Sequence, residues 1–189
     1  YGIAKMLNFA HGDVIMVGGY ASFVMTAQLG LPPIVCILVS MIICLVLGVV
    51  IEAVAYKPLR GASSSLSVLI TAIGVSYLLQ NVALLVFGAD TKAYTSLIKL
   101  PKLTLAGGSL VITGETLVTI IVGIVVTVGL VAFINKTKLG QAMRAVSEDK
   151  GAAQLMGINV NQTISVTFAI GSALAAVAGV LLCSAYPSL

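Results

Sequence analysis

The polar stretch "NFAHGD", residues 8–13, carries the side chains of this chain that are best suited to chemistry, and it borders a long apolar run. It contains His11, the only histidine, and Asp13 two positions later. Side chains two positions apart on a regular helix do not face each other, so a catalytic or metal-binding pair is poorly supported. We place Asn8 and His11 instead among the candidate residues of a path for a small solute.

The role of this stretch depends on where the next helix begins. A helix over residues 14–29 is about 24 Å long, which is shorter than the bilayer core of about 30 Å. The preceding backbone would then be irregular at membrane depth, and the helix start would direct free N–H groups at an anion such as a substrate carboxylate. Alternatively, the helix begins at Phe9 with Asn8 as its N-cap, and His11 and Asp13 face lipid headgroups.

Other polar side chains also interrupt the apolar runs. Gln80 and Asn81 follow each other, and amides are costly in lipid, so both are expected to join helices or to line the solute path. We keep both as candidate residues of that path. Glu52 precedes Lys57 and Arg60 near the end of an apolar run, which favours a local ion pair over a proton relay.

Composition identifies the class of protein. Of the 189 residues, 59% are hydrophobic and 8% are charged, whereas soluble domains contain about 25% charged residues. A water-soluble fold with this composition would lack the charge to cover its surface, so we expect an integral membrane protein in contact with lipid. The net charge of +4 is spread over loops, which argues against a nucleic-acid partner.

Sequence motifs for catalysis or cofactor binding are absent. The chain has no GxxxxGK[ST] phosphate-binding loop and no HExxH, CxxC or GxSxG motif. The three cysteines fall in apolar runs, and their odd number argues against a disulfide framework. We expect no enzyme activity, no bound cofactor and no metal site.

Five apolar segments are long enough, or nearly so, to cross a membrane. Crossing requires about 20 helical residues, because a single span must satisfy its own backbone hydrogen bonds. We predict an all-α, polytopic transmembrane helical bundle that forms one domain over residues 1–189, with further segments missing at both ends. The predicted spans are residues 14–29, 34–56, 66–87, 116–134 and 163–186.

The connections between the spans predict the orientation. In the long connection of residues 89–115, the piece "KLTLAGGSLVI" alternates around a Gly-Gly turn, which favours a small β-hairpin. This connection carries three lysines, whereas the two connections on the other side carry six lysines and arginines, so the positive-inside rule makes the second side cytoplasmic and residues 89–115 extracytoplasmic. The six are Lys57, Arg60, Lys136, Lys138, Arg144 and Lys150.

A charged stretch, residues 139–160, forms the last cytoplasmic connection and predicts a short helix. Ser147 is typical of an N-cap, and Glu148 and Asp149 would follow in the first turn, where negative charge suits the helix dipole. Gly157 would end the helix in a left-handed conformation. The helix would fit a groove in another protein, although a solvated connector or a helix lying on the lipid surface would have a similar sequence. Its small and apolar residues are Ala152, Ala153, Leu155 and Met156.

Four ordered blocks resemble the permease subunit of branched-chain amino-acid ABC transporters, and the likeness covers nearly the whole chain. The blocks are "MLNFAHGDVIMVGGYASF", "IEAVAYKPLRG", "LITAIGVSYLLQNVALLVFG" and "GQAMRAVSEDKGAAQLMGIN". The piece "SEDKGAAQLMGIN" also resembles the cytoplasmic coupling motif of ABC importer permeases. Lys57 stands where this family often has an arginine, which puts no function in doubt.

The resemblance implies an ATP-driven importer of branched-chain amino acids in the bacterial inner membrane. It implies three partners: ATP-binding cassette ATPase subunits, a second permease that is identical or homologous, and an extracytoplasmic solute-binding protein. The ATPase would dock on the charged stretch. The residues implied to transmit its motion are Glu148, Asp149, Ala152, Ala153 and Gly157.

Three alternatives remain open at this point. A related ABC permease would carry urea, short amides or other amino acids. A secondary transporter or channel would need ionisable residues within the membrane, and only Asp13 and Glu52 are available, both near the ends of spans. A membrane-anchoring protein would leave the polar set Asn8, His11, Gln80 and Asn81 unexplained.

Overall fold

A computed structural model describes residues 9–61, 65–94, 103–105 and 110–186 of the chain. The architecture is an all-α bundle, as predicted. Within the described residues it contains seven α-helices, namely α1 (His11–Ala27), α2 (Pro33–Ile51), α3 (Ser65–Phe87), α4 (Gly114–Lys136), α5 (Lys138–Glu148), α6 (Lys150–Leu155) and α7 (Val160–Ala185).

Four helical segments of the described chain are long and apolar enough to cross a membrane, so the predicted count of five is corrected. The segment predicted over residues 14–29 forms α1, whose 17 residues extend only about 26 Å, less than a bilayer core. The four long segments are Pro33–Arg60, Leu66–Phe87, Gly114–Lys136 and Val160–Ala185.

The second of the predicted spans continues beyond α2 with a change of winding. Glu52–Tyr56 forms a π-helical turn, and Lys57–Gly61 forms a 3₁₀ turn. Together with α2 they make one continuous segment of 28 residues, Pro33–Arg60. We call the end where this segment finishes and α7 begins the basic end, because Lys57, Arg60 and Lys150 lie there.

The core lies where α1, α2 and α7 meet. Its buried side chains include Val14 from α1, Cys44 and Tyr56 from the α2 segment, and Ala176 from α7. Small residues allow this close contact: a Cβ at Gly179 would collide with the carbonyl oxygen of Ile15.

Helix α3 contributes Ala72 to this core, whereas α4 lies outside it, and both helices expose much of their apolar surface. Ile70 and Leu85 of α3 are exposed, as are Ile124 and Val128 of α4. In a membrane, such faces contact lipid tails or the helices of another subunit.

The connection after α3 contains two short strands, β1 (Leu103–Leu105) and β2 (Leu110–Ile112). They pair antiparallel, with Leu103 opposite Ile112 and Leu105 opposite Leu110. Residues 106–109 lie outside the described residues, so the Gly-Gly turn between the strands stays a prediction.

Candidate functional site

The charged stretch near the basic end folds as two helices, and we call α5, α6 and Gly157 together the docking segment. The predicted cap at Ser147 is wrong. Ser147 lies in the last turn of α5, where its Oγ donates to the carbonyl of Arg144 at 2.6 Å. Asp149 adopts an extended conformation between the two helices and caps α6, because its Oδ1 accepts from Gly151 N at 2.7 Å and from Ala152 N at 3.1 Å.

The end of α6 matches the prediction. Gly157 has a φ of +81°, which only glycine adopts readily. The N–H of Gly157 donates to Gln154 O at 3.0 Å, and that of Ile158 donates to Ala153 O at 3.0 Å. This pair of hydrogen bonds is the Schellman arrangement, which satisfies the last carbonyls of a helix.

The residues of the predicted coupling set do not share one face. Ala153 is 4% exposed and packs inward with Val146 and Ile164. Ala152 is exposed, as are Leu155 and Met156, at 90% and 83%. The outward surface of α6 therefore carries the small Ala152 and, at its tip, the apolar Leu155 and Met156. Ala153 holds α6 against α7. The other members of the set, Glu148, Asp149 and Gly157, are also exposed.

An ion pair lies beside the docking segment, as the local charges predicted. Glu52 is 1% exposed and pairs with Arg60, and it also accepts from Ser165 Oγ at 2.7 Å. Arg60 in turn donates from Nη1 to Asn161 Oδ1 at 2.6 Å. The network joins the end of the α2 segment to the first two turns of α7.

The first turn of α1 packs against the α2 segment. The helix begins at His11, between the two predicted starts, Phe9 and Val14. Cys44 Sγ of the α2 segment lies 3.6 Å from Val14 O, in the first turn of α1. At 1.5 Å per residue, Cys44 is about 17 Å into the α2 segment, whose total length is about 42 Å. The first turn of α1 is therefore level with the first half of the α2 segment.

Of the candidate residues of the solute path, Gln80 contacts the start of α1, but through Asp13, which was not among the candidates. Gln80 Nε2 donates to Asp13 Oδ1 at 3.0 Å, and Asp13 is 8% exposed. His11, two residues before Asp13, is exposed. Asn81 Nδ2 donates to Tyr77 O of its own helix at 2.7 Å. Asn8 lies outside the described residues.

An apolar cavity of about 360 Å³ adjoins the first turns of α1. It lies between α1 and the second half of α7, and sequence reasoning gave no indication of it because its walls come from distant parts of the chain. Its lining residues are Gly12, Ile15, Met16, Gly179, Leu182, Cys183 and Tyr186.

At the end opposite the basic end, Tyr94 joins the connection after α3 to α1. It is 3% exposed, and its Oη lies 3.0 Å from Ser22 Oγ, which donates to Gly19 O. Burial raises the pKa of Tyr94, so its phenol stays neutral at physiological pH. The sequence analysis did not single out this residue, since an isolated tyrosine in a connection carries no pattern.

The fold and the four blocks quoted above point to one family. Residues 1–188 match the family described as the permease component of the branched-chain amino acid transport system. The chain belongs to this family. This permease, with four long apolar helices among its described residues, is a multi-pass protein of the inner membrane, and the predicted resemblance is confirmed.

Several relatives have printed names that describe their roles. The permease is 41% identical to the high-affinity branched-chain amino acid transport system permease protein BraD of Pseudomonas aeruginosa, over 96% of this chain and 62% of BraD. It is also 41% identical to the LivH permease protein of Escherichia coli K12, with the same coverage, and 29% identical to a probable LivH of Methanocaldococcus jannaschii, over 93% and 56%. The chain thus spans about three-fifths of the length of these relatives. No solved structure matches it significantly.

Proposed function

We propose that this permease is the translocation subunit of an ATP-driven importer of branched-chain amino acids. Family membership supports the transport role, and the names of the relatives support the substrate class. The observation that carries the proposal is the docking segment, since α6 is capped at both ends and exposes an apolar tip. The chain itself would carry no enzyme activity, and ATP would be hydrolysed on a separate subunit.

The docking segment suits contact with a cytoplasmic ATPase. Leu155 and Met156 are the apolar side chains that a groove would bury, and the small Ala152 allows a close backbone approach. Their burial at a contact would be favourable by about 1.5–3 kcal/mol for each large side chain. The predominance of lysine and arginine at the basic end supports its placement in the cytoplasm.

The start of α1 suits a zwitterionic substrate with an aliphatic side chain. A substrate carboxylate would accept hydrogen bonds from the first N–H groups of α1, near Gly12, and would gain from the positive end of the helix dipole. The adjoining apolar cavity would take the branched side chain. In this proposal His11 and Gln80 lie beside the path, and Asn8 and Asn81 remain candidates.

The remaining partners are assigned to other surfaces. The exposed apolar faces of α3 and α4 would contact lipid and a second permease, identical or homologous. The end of the bundle near Tyr94 and residues 89–115 would receive substrate from an extracytoplasmic binding protein. Urea, short amides and other amino acids are the alternative substrates. Competition against the uptake of labelled leucine distinguishes them from branched-chain amino acids.

The docking role is tested by Gly157→Arg in the full-length complex, reconstituted in liposomes with its binding protein. The arginine adds bulk to the docking surface and strains a left-handed position by about 1–2 kcal/mol. We expect the variant to lose the stimulation of ATP hydrolysis by leucine while the complex still assembles.

A matched control is Gly88→Arg, because Gly88 also has a positive φ, +79°, and lies at the far end of α3. This variant should retain the stimulation by leucine. If Gly157→Arg retained it as well, the docking role of α6 would be wrong.

A further inference from the structure

A buried carboxylate lies at the end of the α2 segment nearest the docking segment. Both oxygens of Glu52 are bound, Oε1 by Arg60 and Oε2 by Ser165 Oγ at 2.7 Å. An ionised carboxylate is stable away from water only when it is paired and hydrogen-bonded. These three side chains therefore hold the end of the α2 segment against the second turn of α7.

Arg60 extends this contact towards the docking segment. Its Nη1 donates to Asn161 Oδ1, in the first turn of α7, at 2.6 Å. Arg60 also lines a cavity of about 500 Å³, whose walls include Lys150, Gln154 and Gly157 of the docking segment. A single guanidinium thus lies between the α2 segment, the start of α7 and α6.

The docking segment rests on the same part of α7. Ala153 of α6 and Val146 of α5 pack with Ile164, the residue that precedes Ser165. A displacement of α6 would therefore reach α7 within one turn of the residues that bind Glu52 and Arg60.

The backbone from Glu52 to Arg60 is wound differently from α2, which precedes it. Glu52 begins the π-helical turn, and Arg60 lies in the 3₁₀ turn that follows. Stretches of π- and 3₁₀-helix within a longer helix are frequent at functional sites and hinges. A hinge in the α2 segment would therefore lie here.

We propose that Arg60 is a positioning residue: with Glu52, Asn161 and Ser165, it forms the link that carries a displacement of the docking segment to the α2 segment and α7. The inference rests on the proposed function, because the displacement comes from the ATPase. Guanidinium suits this role because its two terminal nitrogens bind different partners, Nη2 binding Glu52 and Nη1 binding Asn161.

The test measures leucine taken up per ATP hydrolysed by the full-length complex in liposomes. Arg60→Gln should lower this ratio about tenfold, a size typical of coupling between two sites, while ATP hydrolysis without substrate continues. Arg60→Lys, which keeps the charge but loses the second contact, should restore the ratio only in part. The matched control is Lys57→Gln, because Lys57 is an exposed cation in the same 3₁₀ turn, and it should keep the wild-type ratio.

Other outcomes would overturn the inference. An unchanged ratio in Arg60→Gln, or an equal fall in Lys57→Gln, would show that Arg60 has no specific part in coupling. If Arg60→Gln does not assemble, Asn161→Ala removes the side-chain acceptor of Arg60 on α7 and leaves the pair with Glu52 in place, and an unchanged ratio there would overturn the inference as well. A wild-type complex without ATP-driven uptake of any solute would overturn the proposed function and this inference with it.

Discussion

At the scale of single residues, the two buried carboxylates of the bundle differ in how far away their partners lie along the chain. Glu52 pairs with Arg60, eight positions later, whereas Asp13 accepts from Gln80, 67 positions later. The first pair was predictable, because charges close in sequence at the end of one helix meet locally. The second was not, because the contact depends on how α1 packs against α3.

The contact between Gln80 and Asp13 predicts different effects for two neighbouring amides. Gln80→Leu removes the hydrogen bond to a buried carboxylate, which should cost about 1–3 kcal/mol or more and lower the unfolding temperature in detergent. Asn81→Leu is the matched control, since Asn81 donates to its own helix, and it should change the unfolding temperature little.

A double variant separates this contact from general packing. Replacing both Gln80 and Asp13 by leucine leaves neither side of this contact with an unpaired polar group, so most of the lost stability should return. If the double variant is less stable than Gln80→Leu alone, the hydrogen bond is not the cause of the loss.

At the scale of elements, the docking segment shows where sequence patterns suffice. Gly157 was predicted correctly as a helix stop, because few residues other than glycine adopt a positive φ there. The start of α6 was misplaced by two residues, since Ser147 and Asp149 are both good N-caps and α5 continues through Glu148. A cap can be chosen between two such neighbours only when the preceding helix is known.

The corrected cap makes a prediction for hydrogen exchange. Asp149→Ala removes the acceptor for Gly151 N and Ala152 N, and loss of an N-cap costs about 0.5–2 kcal/mol. Both amides should exchange faster in hydrogen–deuterium exchange of the full-length protein. Ser147→Ala is the control and should leave them unchanged, and the reverse pattern would restore the original assignment of the cap.

The contact between α1 and α7 makes a second prediction at this scale. Small residues recur at Gly171, Ala175 and Gly179, but only the last two are buried, and a Cβ at Gly171 would meet open space. Gly179→Ala would overlap the carbonyl of Ile15 and should cost about 1–3 kcal/mol.

Gly171→Ala is the matched substitution on the same helix. It should be neutral or slightly stabilising, because alanine favours a helix by about 0.5–1 kcal/mol over glycine. Unfolding temperatures in detergent compare the two variants, and equal values would contradict the close contact at Gly179.

At the scale of the whole molecule, composition and hydropathy alone predicted the class of the protein, and four of the five predicted spans are long apolar helices in the described residues. The position of α1 along the α2 segment was not decided by the sequence, because the contact between Val14 and Cys44 depends on how the two helices pack. The apolar cavity beside α1 was beyond prediction for a similar reason, since its walls come from residues 12–16 and 179–186. Family membership therefore supports the transport class, whereas only the packing of α1 and α7 indicates the substrate site.

ATP-dependent uptake of labelled leucine by the full-length complex in liposomes tests the central claim most directly. With the ATPase subunits and binding protein present, leucine should accumulate only when ATP can be hydrolysed, and isoleucine or valine should compete where urea and short amides do not. Accumulation driven by an ion gradient without ATP, or uptake of urea or an amide in place of leucine, would contradict the account.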